Sequence, residues 1–146
     1  MSGIVVGVDG SKHSRHALEW AVHEAAVRHE PLTVLTVQSA IIGDWGSPIP
    51  YPRDPEFTKA ALDLAQEETD SVLGATAEGD RPPSVTVKAY VGMPAEELLS
   101  ESNDADLLVV GSRGAGGFKR LLLGSVSSHV THHAHCPVVV IHDDQE

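Results

Sequence analysis

The hydrophobic positions of the chain alternate between two periods. Ile4-Val5-Val6-Gly7-Val8 is apolar without interruption and is closed by Asp9-Gly10-Ser11, the pattern of a strand covered on both faces. From about Ser11 to His29, Leu18, Ala21, Val22 and Ala25 recur at helical spacing, with Ser11 or Ser14 placed to cap the start. Pro31 separates this helix from a second strand run, Leu32-Thr33-Val34-Leu35-Thr36-Val37. The stretch from Ala40 to Pro55 carries Pro48, Pro50 and Pro52 with Gly43 and Gly46, and reads as a loop. A long helix is predicted from about Asp54 to Ala77, with Leu62, Ala65, Thr69, Val72 and Leu73 on one side. Gly79 to Pro83 breaks it, and Val85-Thr86-Val87-Lys88-Ala89-Tyr90 alternates like a strand with one wetter face. Pro94 then stands in the first turn of a short helix whose apolar side is Ala95, Leu98 and Leu99. Asp106-Leu107-Leu108-Val109-Val110-Gly111 predicts a fourth strand. A Gly-rich segment and a helix from about Ser125 to Ala134 lead to the last strand, Pro137 to His142.

Strands alternating with helices in this way predict a single α/β domain over residues 1–146. With right-handed crossovers the result is a three-layer structure, an open parallel sheet of five strands with helices on both faces. Ligands of such folds bind beyond the carboxyl ends of the strands, where the strand order reverses. If the first and fourth strands flank that reversal, Asp9 and Gly111 meet at one crevice.

Composition narrows the function. The 146 residues include 10 Lys plus Arg against 21 Asp plus Glu, a formal net charge of −11. That balance argues against nucleic acid and against an anionic membrane surface, since both reward clustered cations. It leaves small anions open, because backbone N–H groups bind phosphate without net positive charge. Cys136 is the single cysteine, which excludes an internal disulfide and a cysteine-built metal knuckle. There is no apolar run long enough for a membrane span, and Met1-Ser2-Gly3-Ile4 lacks the basic region of a signal peptide. A cytoplasmic location is expected.

The chemistry concentrates between Gly111 and Val126. Gly111, Gly114, Gly116 and Gly117 follow a buried strand, where glycine lets the backbone approach a ligand closely. Gly124-Ser125 stands at a helix start, where unpaired N–H groups and the helix dipole favour an anion. Arg113, Lys119 and Arg120 add cations to this one segment. Together these features describe a phosphate cradle made of two loop pieces; the plain alternative is a Gly-rich connector capped by Ser125. No G-x-x-x-x-G-K-[ST] is present, and the first turn lacks G-x-G-x-x-G, so neither a P-loop nor a dinucleotide fingerprint applies. The third strand closes with Tyr90 rather than the aspartate of a response regulator.

At these residues the chain resembles the universal stress protein family, whose nucleotide pattern G-x2-G-x9-G-[ST] reads here as Gly111-x2-Gly114-x9-Gly124-Ser125. Val6 to Ser11, Gly92-Met93-Pro94, Ala105 to Gly114 and Cys136 to Val140 carry the likeness across the whole chain. The resemblance implies an adenine nucleotide alpha hydrolase-like sheet of order 3-2-1-4-5, binding of ATP with Mg²⁺, and a homodimer. Carried over by position, the backbone of Val37 would meet the adenine edge. Asp9 would hydrogen-bond near the adenine or ribose, with Gly7 and Val8 beside it. Gly111 and Ser112 would lie along the ribose and first phosphate. Gly114, Gly124, Ser125 and Val126 would surround the phosphate chain, with Arg113 and Gly117 at variable positions of the pattern. An Asp at a strand's carboxyl end also has a local reading, as a cap on the first helix.

Other candidates weigh less. His129, His132, His133 and His135, with His142 nearby, have spacings that can gather imidazoles on a metal. Val126 and Val130 claim the buried side of that helix, which favours surface or packing histidines. His13, His16, His23 and His29 are expected on the exposed side of the first helix. Cys136 reads as a small buried hydrophobe, and Trp45 and Tyr51 as parts of a locally packed loop. The last strand, apolar and at a sheet edge, would be an aggregation hazard unless covered, and pairing with the same strand of a second chain (137–142) would cover it. Phosphoryl transfer needs a placed base and a metal-holding carboxylate. Near the expected phosphates the sequence offers Ser127 and Ser128 besides the residues above, and no carboxylate other than Asp9, so binding is favoured over turnover.

Overall fold

The computed structural model describes residues 3–39, 41–42, 48–49, 55–112 and 124–142. Five parallel strands form the sheet: β1 (Ile4–Val8), β2 (Leu32–Ser39), β3 (Val85–Gly92), β4 (Leu107–Gly111) and β5 (Val138–Ile141). Their order is β3-β2-β1-β4-β5, the 3-2-1-4-5 arrangement expected. β1 pairs with β2 from Ile4↔Leu32 to Val8↔Thr36, and with β4 through Ile4↔Leu107, Val5↔Leu108 and Val6↔Val109. The helices are α1 (Lys12–Arg28), α2 (Pro55–Gly74), α3 (Pro94–Glu101) and α4 (Ser125–His133).

Strand alternation divides the core into two layers. Ile4, Val6, Val8, Leu32, Val34, Leu107 and Val109 face α1 and α2, meeting Leu18, Ala21, Val22, Ala25, Ala65 and Val72. Val5, Leu35, Leu108 and Val110 turn to the opposite face and pack with Leu98 of α3 and Val130 of α4. The uninterrupted apolar runs of β1 and β4 follow from this, since both faces of the central strands are covered.

Local chemistry sets the boundaries. The Ser11 hydroxyl oxygen accepts the Ser14 N–H at 3.2 Å and caps α1. α1 ends at His29, held in the left-handed region at φ 56°, where the Glu30 N–H reaches back to Ala25 O at 2.9 Å. Gly3, at φ +144°, admits the Pro31 carbonyl oxygen 2.9 Å from where a Cβ would stand. α2 stops at Gly74, three residues short of the expected Ala77, and its Thr69 hydroxyl donates to Ala65 O at 2.8 Å inside the helix. The proline-rich stretch expected to be a loop contains a two-stranded antiparallel ribbon, Ile41–Ile42 with Pro48–Ile49. An isolated ribbon of this size tolerates Pro48, whose missing N–H removes no bond from the main sheet.

Candidate functional site

β1 and β4 are neighbours in the sheet, yet the helices that follow them pack on opposite faces. A crevice therefore opens between their carboxyl ends, where the two connections diverge. One wall is the Asp9-Gly10-Ser11 turn. The Asp9 carboxylate accepts the Ser11 N–H at 2.9 Å, and the Asp9 N–H donates to the Ser14 hydroxyl oxygen at 3.1 Å. The same hydroxyl donates to Ser11 O at 3.1 Å. Gly10 takes φ +83° with open space around its missing Cβ, so the conformation, not crowding, requires glycine there. The cap of α1 is Ser11, and Asp9 braces the turn ahead of it with an exposed carboxylate at the crevice mouth.

The second wall joins β4 to α4. The Ser112 N–H donates to Ile141 O at 2.9 Å, and the Gly124 N–H donates to Ser112 O. The buried Ser127 hydroxyl is shared between Ser112 O at 2.9 Å and Gly124 O at 3.1 Å. These bonds hold the first turn of α4 against the carboxyl end of β4. Gly124 is the N-cap of α4 at φ −73°, ψ 170°, and among the described residues no side-chain cap bond is made at that helix end. First-turn N–H groups with no side-chain cap and the positive end of the helix dipole thus face the crevice from a fixed position. α4 carries no acidic residue in its first turn, so no carboxylate of that turn competes with an incoming anion.

The remaining sequence-predicted residues distribute as follows. Val8 ends β1 and is buried, while Gly111 ends β4 and pairs with Ile141. Gly7 lies inside β1 on the α3 face, where a Cβ would stand 2.9 Å from the Leu98 Cδ2; close packing is its evident role. Val37 lies past the last β1–β2 pair, Thr36, where β2 runs on beside β3 through Val37↔Tyr90. That edge of β2 borders the crevice beyond the end of β1. Ser125 is exposed and Val126 half-buried at the start of α4. Arg113, Gly114 and Gly117, with Lys119 and Arg120, lie outside the described residues, as do Trp45 and Tyr51.

Sequence reasoning missed the bracing roles of two serines. Ser14 and Ser127 each occupy the third position of the helix that follows a crevice strand, and each is almost fully buried, at 4% and 2% exposure. The shared spacing, Ser11-x2-Ser14 and Gly124-x2-Ser127, was the available signal. Elsewhere, His16, His23 and His29 are exposed as expected, whereas His13 is half-buried. His129, His132 and His133 are exposed on α4. Among the described residues no group of three or more His, Cys, Asp or Glu is arranged to hold a metal ion. Cys136 is half-buried against the α3–α4 layer, and burial pushes its thiol up from the ordinary range, the opposite of a reactive thiolate. No helix among the described residues is long and apolar enough to cross a membrane.

Comparison with known proteins accounts for the arrangement. The family model described as the universal stress protein family matches residues 1–142. The chain belongs to the universal stress protein family. A universal stress protein of Mycobacterium tuberculosis is 40% identical over 151 residues, covering 97% of this chain and 48% of the relative. One from Mycolicibacterium smegmatis is 34% identical, covering 99% of this chain and 49% of its own length. The chain thus spans about half the length of the curated relatives it matches. Among solved structures, the universal stress protein UspA from Lactobacillus plantarum superimposes with a TM-score of 0.72 at 26% identity, covering 96% of this chain and 97% of that one. A universal stress protein solved in complex with cAMP gives 0.67 at 26% identity, covering 97% and 96%.

Proposed function

We propose that this chain binds an adenine nucleotide, ATP with Mg²⁺, in the crevice between β1 and β4, and works as a homodimeric, ligand-responsive module of the cytoplasmic stress response. The observation that carries the reading is the N-terminus of α4, without a side-chain cap among the described residues and fixed to the end of β4 through Ser112, Gly124 and Ser127. Backbone donors held rigidly at a strand-order reversal suit a phosphate chain. The spacing Gly111-x2-Gly114-x9-Gly124-Ser125 and the cAMP complex of a structural relative support an adenylate as the ligand class.

In this reading Gly111 and Ser112 lie along the ribose and first phosphate, and Gly114, Gly124, Ser125 and Val126 donate around the rest, flanked by Arg113 and Gly117. Asp9, with Gly7 and Val8 beside it, borders the sugar, and Val37 presents backbone to the base. Mg²⁺ is commonly held through substrate phosphates and retained water rather than by a protein cage, so it requires no carboxylate cluster. The edge strand β5, half-buried along Val138–Ile141 and paired only with β4 among the described strands, is the surface on which a second copy would pair.

The test is the nucleotide content of freshly purified protein, released by denaturation and identified, followed by ATP titration of any empty fraction. Stoichiometric ATP that persists for hours with Mg²⁺ is the expected result. ADP that accumulates with time would replace the binding reading with slow ATP hydrolysis or group transfer in the same pocket. Absence of adenylate together with absence of titratable affinity would overturn both.

A further inference from the structure

We infer that His129 and His133 form a binding site for a divalent transition-metal ion on the exposed face of α4. The two residues are one helical turn apart, and their ring centroids lie 4.6 Å from each other at an interplanar angle of 38°. A metal–imidazole bond is about 2.1 Å, and the ring centroid lies roughly 1.1 Å behind the nitrogen, so an ion sits about 3.2 Å from each centroid. The observed separation is within reach of two such arms once a nitrogen of each exposed ring turns toward one ion. Imidazole is a natural donor for Cu²⁺ and Ni²⁺, and at a given nitrogen site Cu²⁺ binds more tightly than Zn²⁺.

The surroundings favour a cation. Both rings are solvent-accessible, so no buried contact has to be broken for an ion to enter. His133 lies in the last turn of α4, where the negative end of the helix dipole faces outward. His132, between them in sequence, is committed elsewhere, with Nδ1 2.7 Å from Ser128 O. Two protein ligands leave the remaining positions of the ion to water or to an exogenous donor, consistent with the lack of a three-residue set among the described residues. His133 lies at the far end of α4 from Gly124, whereas His129 is one turn from Ser125, so the titrations are run on nucleotide-free protein.

The experiment is calorimetric titration of the untagged full chain with CuCl₂ and with NiCl₂, accompanied by Cu²⁺ paramagnetic resonance to count nitrogen ligands. We expect one strong site whose spectrum shows two equivalent imidazole nitrogens. His129→Ala and His133→Ala should each weaken it by at least tenfold, and His132→Ala by less than twofold. Metal-free melting curves of the three variants should overlay the parent, as expected for exposed positions. The chain has nine histidines, so the variants rather than the bare affinity decide. Parent-like affinity in either His129→Ala or His133→Ala, or an equal loss in His132→Ala, overturns the assignment.

Discussion

Replacing Ser127 by alanine isolates the brace between β4 and α4. The hydroxyl is 2% exposed and shares its proton between Ser112 O and Gly124 O. Neither carbonyl is stranded by the change. Ser112 O still accepts the Gly124 N–H, and Gly124 O still accepts the Ser128 N–H at 2.9 Å. The cost is therefore one net hydrogen bond, about 0.5–1.5 kcal/mol, without the further desolvation penalty of an orphaned buried acceptor. Alanine recovers roughly 0.5 kcal/mol through its better helix propensity. The net loss should be below about 1 kcal/mol, a fall of roughly 2–4 °C in Tm at most for a domain of this size. Nucleotide affinity should drop by at most the worth of that bond, up to about tenfold, since the ligand itself must now supply the ordering of α4 against β4. Urea unfolding gives the first quantity and ATP titration of the folded variant the second; Ser127→Thr, which keeps the hydroxyl, should bind more tightly than Ser127→Ala. Parent-like affinity in Ser127→Ala would refute the bracing argument. A stability loss above about 3 kcal/mol would show that the hydroxyl supports far more than these two carbonyls.

Gly124→Glu should leave the fold intact, because φ −73° is open to any residue, yet abolish nucleotide binding by placing bulk and charge at the helix end; circular dichroism and titration check the two halves. Gly7→Ala should destabilise by about 1–3 kcal/mol, as its methyl meets Leu98 Cδ2 at 2.9 Å. Adding Leu98→Ala should then cost less than it does alone, a coupling that a double-mutant cycle on urea midpoints measures. Glu68 has its carboxyl pushed up from the ordinary range, chiefly by burial and against the opposing charge of Arg15. The fold therefore favours its protonated form, and that contribution is complete below the ordinary carboxylate range and lost as pH rises through the raised value. Glu68→Gln should raise Tm at pH 7 and reduce the slope of stability against pH just above the usual carboxylate range. Lys88, held above the ordinary lysine range by its 2.8 Å bond to Glu101, contributes stability that is present at neutral pH and lost as pH rises through its raised value. Exposure limits that pair to about 0.5 kcal/mol, and Glu101→Gln should remove it together with its alkaline dependence in melting curves.

What the sequence determined by itself was periodicity and punctuation. β1 and β4 were legible because strands covered on both faces must be apolar throughout, as Ile4 to Val8 and Leu107 to Gly111 are. α1 was legible because Leu18, Ala21, Val22 and Ala25 must share one buried face. The family likeness, carried by Gly111, Gly114, Gly124 and Ser125, supplied the expected strand order and the ligand class proposed above. Neither follows from local physics, since any order of five apolar strands satisfies the same pattern. Only the tertiary structure decided that Gly7 is small to admit Leu98, a residue of another element ninety-one positions away. Only it showed Ser14 and Ser127 bracing the two walls of the crevice, because a serine near a helix start reads identically whether its hydroxyl meets water or a distant carbonyl. The ribbon of Ile41–Ile42 with Pro48–Ile49 escaped for a related reason: prolines and glycines mark where the chain turns, and not whether the segments on either side then find each other. Side-chain periodicity reports which face is buried, whereas contacts between distant segments are fixed only when the sheet closes the distance between them.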